Sequence, residues 1–392
     1  MKYKLNVLLA LFFLGFSTSC FDDRDDNGIF ASEINDFVWK GMNVFYLYKS
    51  EILDLADDRF SSNSEYGDYL NSYDSPEQLF ESLIYQRHTI DKYSWIVDDY
   101  IALEQQLIGG VSQSNGMKFG LREVPGGGSG LYGYVRYVLP GTSAEAEGLQ
   151  RGDIFYGVNG EALTLNNYIS LLFSDAGSYT INMGTYDDNG TATTTDDSIV
   201  QGTEDITLTK QDYTENPIFK TEIINVGGEN VGYLMYNRFT PDFDNELNNV
   251  FSNFAANNVQ HLILDVRYNP GGSVNTASLL GSMITGSYTG QTFTKIRYNS
   301  NFNENIYEFP NTVNGGAAIN SLNLDKVYIL ALGSSASASE MTVNSLRPYI
   351  NVVHIGLNTE GKSQASRTVY DSSDFNRSGA NPNHTYAMQP LV

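Results

Sequence analysis

Cysteine occurs once in 392 residues, at Cys20, and a single thiol excludes an intramolecular disulfide framework. Histidine is nearly as scarce: His88, His261, His354 and His384 show neither metal-ligand spacing nor an adjacent serine elbow. No metal or other cofactor is therefore expected, and a histidine-based catalytic triad lacks its usual reagents. Cations are outnumbered two to one, 23 Lys and Arg against 46 Asp and Glu, for a formal net charge of −23. Nucleic acid is excluded as a partner by that balance. Long apolar runs are missing as well: Val7 to Phe16 reaches only about ten residues, too short to span a bilayer, and no later stretch is longer. Internal repeats are absent.

That short run has a different use. Lys2 and Lys4 precede it and Ser17-Thr18-Ser19-Cys20 follows, the layout of an export signal whose cysteine is lipidated and becomes the mature N-terminus. Residues 1–20 are expected to be a lipoprotein signal peptide, although Ser17 stands where such signals more often carry Leu. Residues 21–28, with Asp22-Asp23-Arg24-Asp25-Asp26, read as an acidic tether. Both features predict a bacterial cell-envelope protein, held to the membrane by a lipid on Cys20 and facing the periplasm or the cell surface.

At this length two or three domains are expected. Apolar residues at Ile34, Phe37, Val38, Met42, Phe45 and Tyr48 predict one helix face over 31–55, and Asp74-Ser75-Pro76 starts a second helix reaching Tyr85. These define a small helical N-terminal domain, 29–105. Over 110–212 the pattern changes to short strands broken by glycine: Met117 to Arg122, a turn at Pro125 to Gly130, then Tyr132 to Val138. There follow Pro140-Gly141-Thr142-Ser143-Ala144, Gly148-Leu149-Gln150-Arg151-Gly152-Asp153-Ile154 and Val158-Asn159-Gly160. This stretch resembles a PDZ domain. The resemblance implies a groove at Gly116, Met117, Lys118, Phe119 and Gly120 that takes an extended peptide as an added strand. The polar segment 187–203 reads as a mobile loop. From 218 to 392 strands alternate with helices: Val231 to Tyr236, Phe243 to Ala256, Leu262 to Val266, Asn275 to Thr285, Val327 to Leu332, Ala338 to Leu346 and Asn351 to Ile355. The fold class predicted is an α/β domain with a mixed sheet and helices, joined to the β-rich domain and the small helical one.

Three runs in this last region carry chemistry. Leu262 to Val266 leads to Asn269-Pro270-Gly271-Gly272; Val327 to Leu332 leads to Gly333-Ser334-Ser335-Ala336-Ser337-Ala338-Ser339-Glu340; Asn351 to Ile355 leads to Gly361-Lys362. Alone, each is an ordinary turn or helix start. In this order they bring a hydroxyl, an amine and glycine N–H groups to one sheet edge. A hydroxyl needs a base, and a desolvated lysine can serve where histidine is missing. Val352, Val353 and Ile355 offer an apolar wall for such an amine. Spacing leaves Ser335, Ser337 and Ser339 all open as the nucleophile.

The order and spacing, over roughly 115–370, resemble the tail-specific, or C-terminal processing, serine peptidases. The resemblance implies Ser337 as nucleophile, Lys362 as its general base 25 residues on, and an oxyanion hole from main-chain N–H groups of Ala338 and Gly271 or Gly272. It implies a polypeptide substrate, cleaved as an unfolded or C-terminally exposed chain. Glu340 is expected one step away from the amine. Family members commonly carry a glutamine four positions after the lysine; here that position is Ser366, while Gln364 falls two after. Related catalytic domains usually run on beyond the point matching Val392, so residues 218–392 are expected to form a shortened or truncated version. A peptide-binding envelope lipoprotein with a silent dyad, or a purely structural lipoprotein, are the alternatives.

Overall fold

The computed structural model describes residues 32–392, so the signal reading of 1–20, Cys20 and the acidic tether lie outside the described residues. The chain divides into two compact units. One comprises the N-terminal region to Tyr100 with 296–305 and 364–392; the other comprises 101–295 and 306–363.

In the first unit, α1 (Glu33–Phe45) buries Phe37, Val38, Met42 and Phe45. It stops ten residues before the apolar spacing predicts. Tyr46 turns extended, and two 3-10 turns follow at Lys49–Glu51 and Leu53–Leu55. The cause is tertiary: the fully buried Tyr46 hydroxyl donates to Asp91 at 2.9 Å and accepts from the Tyr85 N–H at 2.8 Å. Helix α2 (Asn63–Asn71) is capped by Ser62, and α3 (Pro76–Ser82) by Ser75 with proline in its first turn. Strands Trp95–Val97 and Val369–Tyr370 flank Ala387–Gln389 in an antiparallel sheet. Val369, Met388 and Val392 share one core with Phe37 and Met42. The stretch 364–392, read from the sequence as part of the α/β domain, thus packs with the N-terminal helices.

The second unit holds two sheets. The first contains β1 (Met117–Glu123), β2 (Leu131–Val138), β3 (Ile154–Val158), β4 (Ser178–Asp187) and β5 (Ser198–Thr209), with helices α4 (Ser143–Ala146) and α5 (Tyr168–Leu172) in the connections. The strands pair in that order, all antiparallel, with Glu161–Ala162 added to β3. Phe155, Val158, Ile181 and Leu208 fill the core. Part of the expected 187–203 loop is strand instead, since β5 begins at Ser198 and pairs with Asp187. The buried Asp197 accepts from the Tyr186 hydroxyl and pins the remaining turn.

The second sheet follows as β6 (Ile218–Val226), β7 (Glu229–Tyr236), α6 (Asp244–Ala256), β8 (Val259–Asp265), α7 (Val274–Thr285), β9 (Lys326–Ala331), α8 (Ala338–Leu346) and β10 (Asn351–Gly356). Strand order is β6-β7-β8-β9-β10; the first pair is an antiparallel hairpin and the rest are parallel. Leu262, Leu264, Val327 and Ile329 are completely buried, as parallel strands covered by helices require. Asp265 lies opposite Leu330 and Ala331 opposite Gly356. Three neighbouring strands therefore release their chains at one edge, where sites form in open α/β sheets. Among the described residues no helix is long and apolar enough to cross a membrane.

Candidate active site

The turn from β9 into α8 is stitched to the loop after β8. Ser335 Oγ donates to the Val266 carbonyl at 2.7 Å and accepts from Leu332 N–H at 3.0 Å. Ser334 Oγ donates to Arg267 O at 2.6 Å, and Ser339 Oγ to Asn269 O at 2.9 Å. Ser335 is 0% and Ser339 1% exposed, so both hydroxyls are structural fasteners. Ser337 differs. It is half-buried and caps α8 with φ 55° and ψ −113°, a conformation that costs a non-glycine residue about 1–3 kcal/mol. Such a tight strand-to-helix turn lifts a side chain off the sheet edge.

The glycines explain how that turn is tolerated. Gly271 has φ +108°, and a Cβ there would lie 2.7 Å from Ser337 Cβ and 2.9 Å from Ala336 O. Gly272 has φ +139°, and its Cβ would overlap Phe239 O. No side chain fits at either position. Asn269, fully buried, donates through Nδ2 to Tyr236 O and accepts the Gly271 N–H on Oδ1, both at 2.9 Å. The Gly271 N–H is therefore taken. Among the described residues, those of Gly272 and Ala338 donate to no acceptor. Sequence reasoning gave Asn269 no role; an asparagine ahead of Pro-Gly-Gly was the signal, but its burial was not legible.

Glu340 sits in the first turn of α8 and reaches the neighbouring loops through main-chain N–H groups. Its Oε2 accepts from the Ser337 N–H at 2.8 Å and the Lys362 N–H at 3.0 Å, and Oε1 accepts from Gly361 N–H at 2.7 Å. Ser337 and Lys362 main-chain nitrogens thus lie no more than about 5.8 Å apart, the two hydrogen bonds laid end to end. Of the residues expected as an apolar wall, Val352 and Val353 are half-buried, whereas Ile355 is 48% exposed because β10 is the sheet's edge strand.

Gln364 Nε2 donates to the Tyr48 hydroxyl at 3.0 Å, and the Ser366 main chain bridges Leu391, both within the unit of N-terminal helices. In the other unit β1 is an edge strand, paired among the described residues with β2 alone. The Gly116 and Met117 N–H groups are already bonded, to Ser114 Oγ at 3.0 Å and Asn115 Oδ1 at 3.1 Å. A Cβ on Gly116 would overlap Thr142, and one on Gly120 would meet the Tyr134 ring. Lys118 pairs with Glu215 at 2.6 Å, and the Phe119 ring packs against Phe155 and Phe173. His261 faces Glu229 and His384 faces Asp371, each pair serving as a local structural contact.

Residues 230–375 match the family model for peptidase family S41, and residues 33–95 match the peptidase S41 N-terminal domain. A "Probable CtpA-like serine protease" of Staphylococcus epidermidis (strain ATCC 12228 / FDA PCI 1200) is 28% identical over 146 residues, 37% of this chain. The matched segment spans 28% of that relative's length. Among solved structures, a Bacteroides fragilis NCTC 9343 protein described as an S41 protease candidate superposes with a TM-score of 0.65. It is 24% identical, and the match covers 91% of this chain and 84% of that one. The photosystem II D1 C-terminal processing protease superposes with a TM-score of 0.51 at 18% identity, covering 92% and 88%. These likenesses show the mixed α/β fold.

Proposed function

Because the chain belongs to peptidase family S41, we propose that it is a serine endopeptidase using Ser337 as nucleophile and Lys362 as general base on unfolded or C-terminally exposed polypeptides. The observation that carries this reading is the Glu340 carboxylate, which ties the main chains of the two residues together at the edge of three parallel strands.

The chemistry follows from what each group can do. Lysine free in water holds its proton up to a pKa of about 10.4, so the base has to act as the neutral amine. That amine takes the Ser337 hydroxyl proton as Oγ attacks the scissile carbonyl carbon. The carbonyl oxygen becomes an anion and accepts the Gly272 and Ala338 N–H groups, the two that have no acceptor of their own. Gly271, included in the oxyanion hole at the sequence level, contributes by lacking a side chain, since its N–H serves Asn269. Collapse breaks the C–N bond, and the lysine proton passes to the leaving amine. Water then attacks the serine ester, giving its proton to the Lys362 amine; the C–Oγ bond breaks, that proton passes to Ser337 Oγ, and the acid departs.

The β-rich domain over 110–212 acts in this reading as a PDZ-like capture module. Substrate adds as a strand to the outer edge of β1 beside Phe119, with the exposed Ile169 and Phe173 as its apolar flank. Since Gly116 and Met117 already have acceptors, Lys118, Phe119 and Gly120 offer the pairing edge. A lipid on Cys20 would keep the enzyme in the cell envelope.

Turnover of a fluorogenic unfolded polypeptide by the full chain and by Ser337→Ala tests the assignment. Loss of turnover in the variant, with its fold intact, is the expected result. Equal turnover removes Ser337 from the mechanism; binding without turnover by both proteins identifies a peptide-holding module.

A further inference from the structure

In a chain with 46 acidic residues, a cleft beside the candidate active site is lined by arginines and no carboxylate. It encloses about 510 Å³, and Arg122, Arg136 and Arg151 enter it from the β-rich domain. Tyr134 and Tyr268 separate the guanidinium groups. Arg122 and Arg136 lie 5.9 and 5.8 Å from the Tyr134 ring, and Arg136 and Arg151 lie 5.6 and 5.5 Å from the Tyr268 ring. Arg151 is held in place: its Nη1 donates to Arg136 O at 2.7 Å and to the Tyr268 hydroxyl at 2.5 Å. Among the described residues none of the three arginines has a carboxylate partner, and Arg136 Nε is buried with no acceptor at all. Arg267 at the neighbouring position shows the contrast, being clamped on Asp265 at 2.6 Å.

The cleft also touches each of the three loops of the candidate active site. Tyr268 lies three residues before Gly271, Ser334 three before Ser337, and Leu357 five before Lys362; all line it. Three residues of extended chain reach at most about 10 Å, so a bound peptide passes from the cleft to Ser337 within a few residues. Gathered like charges repel one another unless an anion joins them, and planar guanidinium groups on aromatic faces match a carboxylate in two-pronged geometry.

We infer that this cleft holds a carboxylate of the substrate polypeptide a few residues from the scissile bond, so that Arg122, Arg136 and Arg151 select acidic substrates. The inference rests on the peptidase reading above. Two sources share the chemistry, an Asp or Glu side chain and the substrate's terminal carboxylate.

The test uses peptides with one cleavable core, carrying Asp or the isosteric Asn about three to five residues from the scissile bond, each with a free or an amidated C-terminus. Wild type is expected to favour the carboxylate form by about tenfold in kcat/KM, the effect of one charge-assisted hydrogen bond. Raising the salt shrinks that ratio, and in Arg122→Gln/Arg151→Gln it falls to within twofold of one. A preference that follows Asp against Asn assigns a side-chain carboxylate; one that follows amidation assigns the terminus. Cleavage of all four peptides at equal kcat/KM overturns the inference and leaves the peptidase standing. If wild type cleaves none, the peptidase reading fails, and fluorescence anisotropy of the same labelled peptides on Ser337→Ala decides the cleft. Tighter binding of the carboxylate forms that is lost with the arginines supports it, and equal binding overturns it.

Discussion

Replacing Glu340 by Gln removes one oxygen acceptor while leaving the size of the side chain unchanged, and the consequence can be worked from three hydrogen bonds. The carboxylate accepts Ser337 and Lys362 N–H on one oxygen and Gly361 N–H on the other. An amide has a single acceptor. With its oxygen toward Ser337 and Lys362, its NH2 faces the Gly361 N–H and one bond becomes a donor–donor clash; turned round, two bonds are lost. Each bond to a charged group contributes about 1.5–3 kcal/mol, and exposure of Gly361 places that one at the low end, so Glu340→Gln should destabilise by about 1.5–2 kcal/mol. Catalysis should suffer separately, because Ser337 and Lys362 lose the group that sets their spacing. A displacement of about 1 Å between reacting groups costs up to 100-fold, so kcat should fall by about 10- to 100-fold with KM little changed. Urea unfolding gives the first quantity, and steady-state kinetics at a temperature where the variant is fully folded give the second. Wild-type kcat in a folded Glu340→Gln protein would refute the reasoning.

Other positions give independent checks. Gly271→Ala places a methyl 2.7 Å from Ser337 Cβ at φ +108°, and should lower kcat/KM by at least about 100-fold while leaving the circular dichroism spectrum in place; near-normal activity contradicts the packing argument. Ser335→Ala strips partners from Val266 O and Leu332 N–H and should cost about 1–3 kcal/mol in denaturant unfolding, with kcat within tenfold of wild type. Loss of turnover there with retention in Ser337→Ala would transfer the nucleophile's role. Burial pushes the Asp244 carboxyl up to about 6, so the folded state holds a proton that the unfolded state releases near its ordinary 3.8. Stability from this group is complete below the unfolded value and is lost as pH rises through about 6. Asp244→Asn, which keeps an oxygen for Asn314 Nδ2, should therefore raise stability at pH 7 by about 2–3 kcal/mol and flatten the pH 4–7 profile; an unchanged slope contradicts this.

Alternation of strand and helix patterns from 218 onward announced the α/β sheet, and turn composition announced the three loops at its edge. Those signals are local, and they placed Ser337, Lys362 and the glycine pair on one edge. Choosing among Ser335, Ser337 and Ser339 needed the partners of the Ser335 and Ser339 hydroxyls, which come from a loop about 70 residues earlier in the chain. Nor does periodicity say which core an apolar residue joins: Val369 and Met388 pack on α1, more than 300 residues before them. Helix α1 ended early because Tyr46 bonds to Asp91 and Tyr85, contacts invisible to the spacing of its apolar residues. The arginine cleft was equally hidden, since Arg122, Arg136 and Arg151 are dispersed in sequence and gather only through strand pairing and the Tyr268 loop.

Intact-protein mass spectrometry of an acyl-enzyme tests the central claim most directly. With a slowly hydrolysed activated ester, the account predicts one added acyl group, mapped by digestion to the peptide containing Ser337, formed by wild type and not by Lys362→Met. An acyl group on another residue, or formation at an undiminished rate in Lys362→Met, would contradict it.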